Sequence, residues 1–179
     1  MRVLSALVLS FVVWTSVGAA ASGAVACEAV GDIQFICDLI GPEDLAIVPG
    51  GEWVIASGNQ AGGRIQLVHA RDKTATALFP SPTQAERFDA ARYPLCPGPL
   101  DLPEPDAFRA HGLYLAKGPG HVHALYVVHH GVRESIEVFE VDASGAQPRL
   151  VWVGCAVAPE ELGFNSVVAL PEGGVAATS

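Results

Sequence analysis

HGLYLAKGPGHVHALYVVHHGVRESIEVFEV, residues His111–Val141, joins two apolar strand patterns to five of the chain's six histidines. Ala124–Val128 is a short run of β-formers, and Ser135–Val141 interleaves Ile136, Val138, Phe139 and Val141 with Glu137 and Glu140. Such runs suit extended strands, and Gly131 between them suits the turn of a β-meander. Side chains alternate along a strand, so His130 shares a face with Tyr126 and Val128, while His121, His123 and His129 take the other. His111 precedes Gly112 at the mouth of the first strand.

The same punctuation extends in both directions. Leu45–Val48, Trp53–Ser57, Ile65–His69 and Thr74–Leu78 alternate with turns such as Pro49-Gly50-Gly51, as an antiparallel meander does. Phe79–Phe108 interrupts it with seven of the chain's thirteen prolines and reads as a long ordered loop or insertion, with one weak helical window at Gln84–Arg92. Gly112–Leu115, Val122–His129, Ile136–Val141 and Leu150–Cys155 form a second set, and Ser166–Leu170 with Val175–Ala177 begins a third. "EDLAIVPGGEWVIAS" (Glu43–Ser57) and "NSVVALPEGGVAATS" (Asn165–Ser179) share a polar pair, an apolar run, a Pro and Gly-Gly turn, and a second apolar run. Repeats of this form mark stacked β units. The expected fold is all-β, a β-propeller of four-stranded antiparallel blades, incomplete at about two and a half blades against the four to eight that close a ring. The abrupt "VAATS" end favours a truncated chain, and open blade edges predict poor solubility and self-association.

With 179 residues and half of them hydrophobic, the chain has room for one packed domain. A net charge of −9 gives no basic surface for nucleic acid. Residues 1–26 read as an export signal: Arg2, then the apolar Val3–Val13, then small residues Gly18–Ala26. A membrane anchor is the alternative, and Ser5, Ser10, Thr15 and Ser16 favour cleavage instead. Cys27 after Ala24-Val25-Ala26 also suits the lipid-bearing first residue of a lipoprotein, which would tether the cleaved chain to a membrane. In an exported chain, Cys27, Cys37, Cys96 and Cys155 point to disulfides with three possible pairings, of which Cys96–Cys155 is expected.

"GPEDLAIVPGGEWVIASG" (Gly41–Gly58), "AHGLYL" (Ala110–Leu115), "LYVVHH" (Leu125–His130), "IEVFEVD" (Ile136–Asp142) and "FNSVVALPEGGVAATS" (Phe164–Ser179) occur in the order and spacing of one family. In these motifs the chain resembles the N-terminal half of the serum paraoxonase/arylesterases, within the gluconolactonase-like superfamily of six-bladed propellers. The resemblance implies calcium-dependent hydrolysis of lactones or aryl esters. It places Glu43 and Asn165 as ligands of a catalytic Ca2+, Asp44 and the Leu113 carbonyl as ligands of a structural one, and His111 and His130 as a histidine dyad that activates water. Carboxylate, amide and carbonyl oxygens are the donors calcium takes, and imidazole is a suitable general base. Ser166 departs from the family's aspartate, His129 from its asparagine, and the other calcium ligands would lie in later blades. The family's cysteine at the position of Cys37 pairs with a partner near the C-terminus.

Taken singly, each residue has a plainer reading: Glu43-Asp44 as a solvated turn, Asn165 as a cap, His69 as a satisfied strand histidine, and His121 with His123 as a loop end rather than a transition-metal site with His129. The register of Glu43, His111, His130 and Asn165 across the sets lifts those four above it. The expected function is an exported calcium-dependent lactonase or arylesterase, with little activity in the chain as it stands. The competing class is a non-catalytic propeller that binds a ligand or partner.

Overall fold

The computed structural model describes residues 27–179 apart from 103, 105 and 106, and the expected leader over residues 1–26 lies outside the described residues. The first sheet is an antiparallel meander of β1 (Pro42–Ile47), β2 (Trp53–Gly58), β3 (Ile65–His69) and β4 (Thr74–Phe79), in sequence order. Its first turn works because Gly50 and Gly51 take φ of 109° and 75°, a region closed to most L-residues.

The second sheet contains β6 (Phe108–Ala116), β7 (Val122–Gly131), β8 (Ser135–Asp142) and β9 (Arg149–Val157). The expected insertion over residues 79–108 adds β5 (Ala85–Glu86), which pairs parallel with β9. In the order β5-β9-β8-β7-β6 the sheet is therefore five-stranded with a parallel edge, not the four-stranded antiparallel unit the sequence suggested. The weak helical window at Gln84–Arg92 is extended through Asp89 because the sheet edge supplies partners, Arg87 and Asp89 donating their amides to the carbonyls of Trp152 and Val153 at 2.8 and 2.9 Å, and only residues 90–92 turn. A third pair, β10 (Val167–Ala169) and β11 (Val175–Ala177), forms a separate hairpin. Among the described residues there is no α-helix, and none of the sheets closes on itself.

The second sheet is buried on both faces, which explains its nearly continuous apolar runs. Leu125, Val127, Phe139 and Trp152 pack toward the first sheet with Ile55, Ile65, Leu67 and Phe79. Tyr126, Val128, Ile136 and Val138 pack toward Val167 of the hairpin. The alternation expected for β7 is therefore the one observed. Strand β6 is the hub, lying against β1 and β2 on one side and β10 on the other.

The Pro-rich segment is fastened to β9 at several points. Cys96 is disulfide-bonded to Cys155, as expected, with Cα atoms 5.2 Å apart. Phe88 lies against Trp152 at 5.5 Å between ring centroids, and Tyr93 occupies the space that a Cβ on Gly154 would need. Cys37, by contrast, is paired with Cys27 rather than awaiting a C-terminal partner. A sulfur in that bond carries no lipid, so the disulfide and a lipidated Cys27 exclude one another. Two disulfides suit an oxidising compartment.

The deepest fastening is ionic. Glu137 is fully buried, and its carboxylate accepts from Arg133 Nε and Nη2 at 2.9 and 3.0 Å, Ser135 Oγ at 2.6 Å and Trp152 Nε1 at 2.7 Å. Arg133 Nη1 then donates to the Gly98 carbonyl at 2.9 Å, so one cage ties β8, β9 and the insertion together. A buried carboxylate is tolerated only with such full pairing. Glu137→Gln leaves the guanidinium under-compensated and is expected to cost about 3–5 kcal/mol, read as a lower urea midpoint. A loss below about 1 kcal/mol would show that the charge is not what holds the cage.

Candidate functional site

Glu43 and His111 occupy matching irregularities. In β1 the pairing with β2 passes from Pro42↔Gly58 to Leu45↔Ala56, so Glu43 and Asp44 oppose a single residue of the partner. In β6 the pairing with β7 passes from Ala110↔His129 to Leu113↔Val127, which puts His111 and Gly112 in the same situation. Each is a β-bulge, a device that bends a strand and re-aims its side chains. The two bulged strands are neighbours, so the redirected groups meet.

Their meeting is a chain of hydrogen bonds across sequence separations of 68, 19 and 4 residues. Glu43 Oε1 lies 3.1 Å from His111 Nε2, and His111 Nδ1 lies 3.0 Å from His130 Nε2. His130 Nδ1 then sits 2.7 and 2.9 Å from the two carboxylate oxygens of Glu134. The imidazoles are mostly shielded, with 15% and 17% of their side chains exposed, whereas Glu43 is about half exposed at 48%. The arrangement is a two-imidazole wire with a partly exposed carboxylate at each end, Glu43 at 48% and Glu134 at 40%.

Asp44 faces the opposite way and serves as a clamp. Its Oδ2 accepts the Leu113 amide at 2.8 Å, across the two sheets, and its Oδ1 accepts the Leu45 amide at 2.8 Å. Its own amide donates to Ser57 Oγ at 2.9 Å. Asn165 reaches the site from the hairpin side. Its backbone carbonyl approaches so closely that a Cβ on Gly112 would sit 2.5 Å from it, which explains why glycine follows His111. Asn165 is exposed and is held by a hydrogen bond from its amide to the Thr178 carbonyl at 2.8 Å. Ser166, at the position where the resemblance implies an aspartate, donates its amide to Thr178 Oγ1 at 3.2 Å.

The six residues singled out from sequence, Glu43, Asp44, His111, Leu113, His130 and Asn165, thus lie together around the start of β6. As donors, Glu43, Asp44, Asn165 and the Leu113 carbonyl are all hard oxygens, the class calcium prefers. Among the described residues no cluster of three or more His, Cys, Asp and Glu side chains forms a metal site, and these oxygens fall short of the six to eight that calcium takes.

Three of the remaining histidines have structural roles, and His121 is exposed at the end of its turn. His69 sits between Glu52 at 3.1 Å and Asp72 at 2.9 Å, against the Trp53 ring. His123 Nδ1 accepts the Gly118 amide at 3.3 Å and holds a turn. His123 and His129 are far apart on one extended strand, roughly 20 Å, so they share no metal. His129 is fully buried and stacked on Phe108 at 4.7 Å, and neither ring nitrogen has a hydrogen-bond partner among the described residues. Burial lowers its pKa to about 4; the backbone of Arg109 opposes the shift without a well-formed hydrogen bond, and the positive charge of Arg133 adds to it.

Sequence reasoning missed Glu134 and the Glu137 cage. The hairpin register, His129 opposite Ser135, sets His130 and Glu134 at the two feet of one short loop. Glu137 alternates with Ile136 and Val138 in a strand apolar on both faces, so it could only be buried, and Arg133 four residues earlier was its visible partner. Compared with known proteins, the chain matches no family model, no curated sequence and no solved structure at a significant level.

The buried ring sets a pH dependence. In the unfolded chain His129 protonates near 6.5, in the native state only near 4, so between those values the unfolded chain binds more protons. Stability therefore falls as pH drops from 6.5 to 4, by up to about 3 kcal/mol, and this contribution levels off below. Urea midpoints across that window should slope less for His129→Phe than for the wild type. Parallel slopes would assign the acid sensitivity to other groups.

Proposed function

We propose that this chain is a paraoxonase-like β-propeller segment, exported, whose activity is calcium-dependent hydrolysis of lactones or aryl esters. The observation that carries the reading is the Glu43–His111–His130 connection: three residues picked out by motif, far apart in sequence, joined by hydrogen bonds of 3.1 and 3.0 Å. The placement of β6 beside both β1 and β10, each an edge strand of its sheet, supports a blade arrangement with these residues toward the axis. The disulfides support export.

In this reading His111 is the general base. Its Nε2 takes a proton from a water as the water oxygen attacks the ester or lactone carbonyl carbon, and the protonated ring returns a proton to the departing alkoxide or phenoxide. His130, bonded to His111 Nδ1, holds the ring in place and shares the positive charge that develops. Glu43 and Asn165 would hold the catalytic calcium, and Asp44 with the Leu113 carbonyl a structural one; the rest of each shell comes from outside this residue set. Bound calcium supplies Lewis-acid polarisation of the carbonyl.

A second reading has one observation in its favour. Glu43 covers His111 Nε2, the nitrogen a base needs bare, so the same framework suits a propeller that binds a ligand or partner without turning it over. Assay decides between them. Phenyl acetate and a γ-lactone should be hydrolysed in the presence of calcium, with kcat/KM lowered about 10²- to 10⁴-fold by His111→Gln. A protein that folds without calcium and turns over neither substrate, also when joined to any further blades, overturns the hydrolase.

A further inference from the structure

Glu134 stands outside every motif that singled out the site, yet it makes the shortest contact in it. The loop joining β7 to β8 turns on Gly131, with φ of 133°, and returns Glu134 beside His130. Glu134 is anchored from behind, since its carbonyl accepts the Ala158 amide at 2.9 Å. Both of its carboxylate oxygens lie within hydrogen-bond reach of the one ring nitrogen, at 2.7 and 2.9 Å from Nδ1.

An ionised carboxylate only accepts, so the proton of that bond belongs to His130 Nδ1. In a neutral ring the other nitrogen is then a lone pair, and His130 Nε2 receives the Nδ1–H of His111 at 3.0 Å. A neutral His111 oriented in this way carries its lone pair on Nε2, toward the open side of the site. The opposite direction has Glu43 accept a hydrogen bond from His111 Nε2–H, His130 donate its Nε2–H to His111 Nδ1, and a bare Nδ1 of His130 face the carboxylate of Glu134. Two neutral rings hold two N–H groups for three links, so the two end carboxylates compete for the direction of the wire. Glu134 has the advantage, with two oxygens at 2.7 and 2.9 Å against a single oxygen of the more exposed Glu43 at 3.1 Å.

We propose that Glu134 is a positioning residue that fixes His130 as its Nδ1–H tautomer and so directs the basic lone pair of the pair to His111 Nε2. What the lone pair is used for rests on the hydrolase reading; the tautomer does not. The pattern matches the general rule that the hydrogen bond at one ring nitrogen decides the state of the other.

The test is the two-bond proton–nitrogen correlation spectrum of the chain with ¹⁵N-labelled histidine, recorded at neutral pH. The wild type should show His130 protonated on Nδ1 and bare on Nε2. In Glu134→Ala the His130 signals should move toward the Nε2–H pattern, with backbone amide shifts outside the loop unchanged. A wild-type His130 protonated on Nε2 overturns the proposal, as does a Glu134→Ala spectrum with the tautomer unaltered; if that variant does not fold, the wild-type spectrum alone decides. Where phenyl acetate is turned over, Glu134→Ala should lower kcat at least about tenfold with little change in KM, since a misdirected ring spoils the base and leaves substrate contacts in place. The tautomer alone judges Glu134, whatever the turnover assay returns.

Discussion

The hydrogen bond from the Leu113 amide to Asp44 Oδ2, at 2.8 Å, is the constraint on which the site depends. It joins the bulge of β1 to the bulge of β6, two strands in different sheets that share no ladder. A bulge leaves backbone groups without their normal partners. Here the Leu113 amide is satisfied from the neighbouring sheet by Asp44, and the Asp44 amide by Ser57 Oγ on β2. The bulge of β6 therefore has its compensation in β1, and Glu43 and His111 are aimed at each other as a result. Gly112 is the third condition, because only a residue without Cβ lets the carbonyl of Asn165 approach β6 from the other side.

Behind this region the fold relies on burial of the second sheet on both faces, and the two sides are held differently. Toward the first sheet the packing is aromatic and aliphatic, with Phe79 set edge-on against Phe108 at 4.9 Å and Phe139 at 5.0 Å. At the outer strand the insertion is held by the Cys96–Cys155 bond and by the Glu137 cage. Glu137 pairs across the ladder with Cys155, so covalent and ionic fastenings act at one rung. That rung fixes the start of β8, and with it the loop carrying Glu134. The Glu134 end of the wire is thus positioned by a buried ion pair on the adjacent stretch of strand.

The strand pattern was readable from sequence because it depends on local alternation and turn residues: Trp53–Ser57 was expected and Trp53–Gly58 is found, Ile65–His69 is found as expected. The face assignment of β7 followed from the same period of two. Motif spacing also brought Glu43, His111 and His130 to one place, although alternation alone would not, since it is the bulges that turn them together. What escaped was whatever depends on partners distant in sequence. The edge strand Ala85–Glu86 has no strand signature of its own and exists because β9 offers free backbone groups. Cys27–Cys37 is a short loop closed where the resemblance implied a long one. Glu137 could be read as buried from its apolar neighbours, but its full cage could not, because Ser135 and the distant Trp152 and Gly98 join Arg133 around it only in the folded sheet.

His129 and His130 show how far one step along a strand can separate two identical side chains. The pleat sends His129 into the interface with the first sheet, where Phe108 covers it and desolvation keeps it neutral down to about pH 4. It sends His130 to the other face, at the end of the strand, where two groups with opposite hydrogen-bonding demands sit on its two nitrogens: a carboxylate that requires a donor and an imidazole that can be either. A ring with unpaired nitrogens in a dry pocket has no reason to prefer one tautomer. A ring held between Glu134 and His111 does, and the preference is transmitted to a nitrogen two hydrogen bonds away. The functional content of the histidine-rich stretch therefore lies less in the number of its imidazoles than in which face of β7 each occupies and what closes the hairpin beyond it.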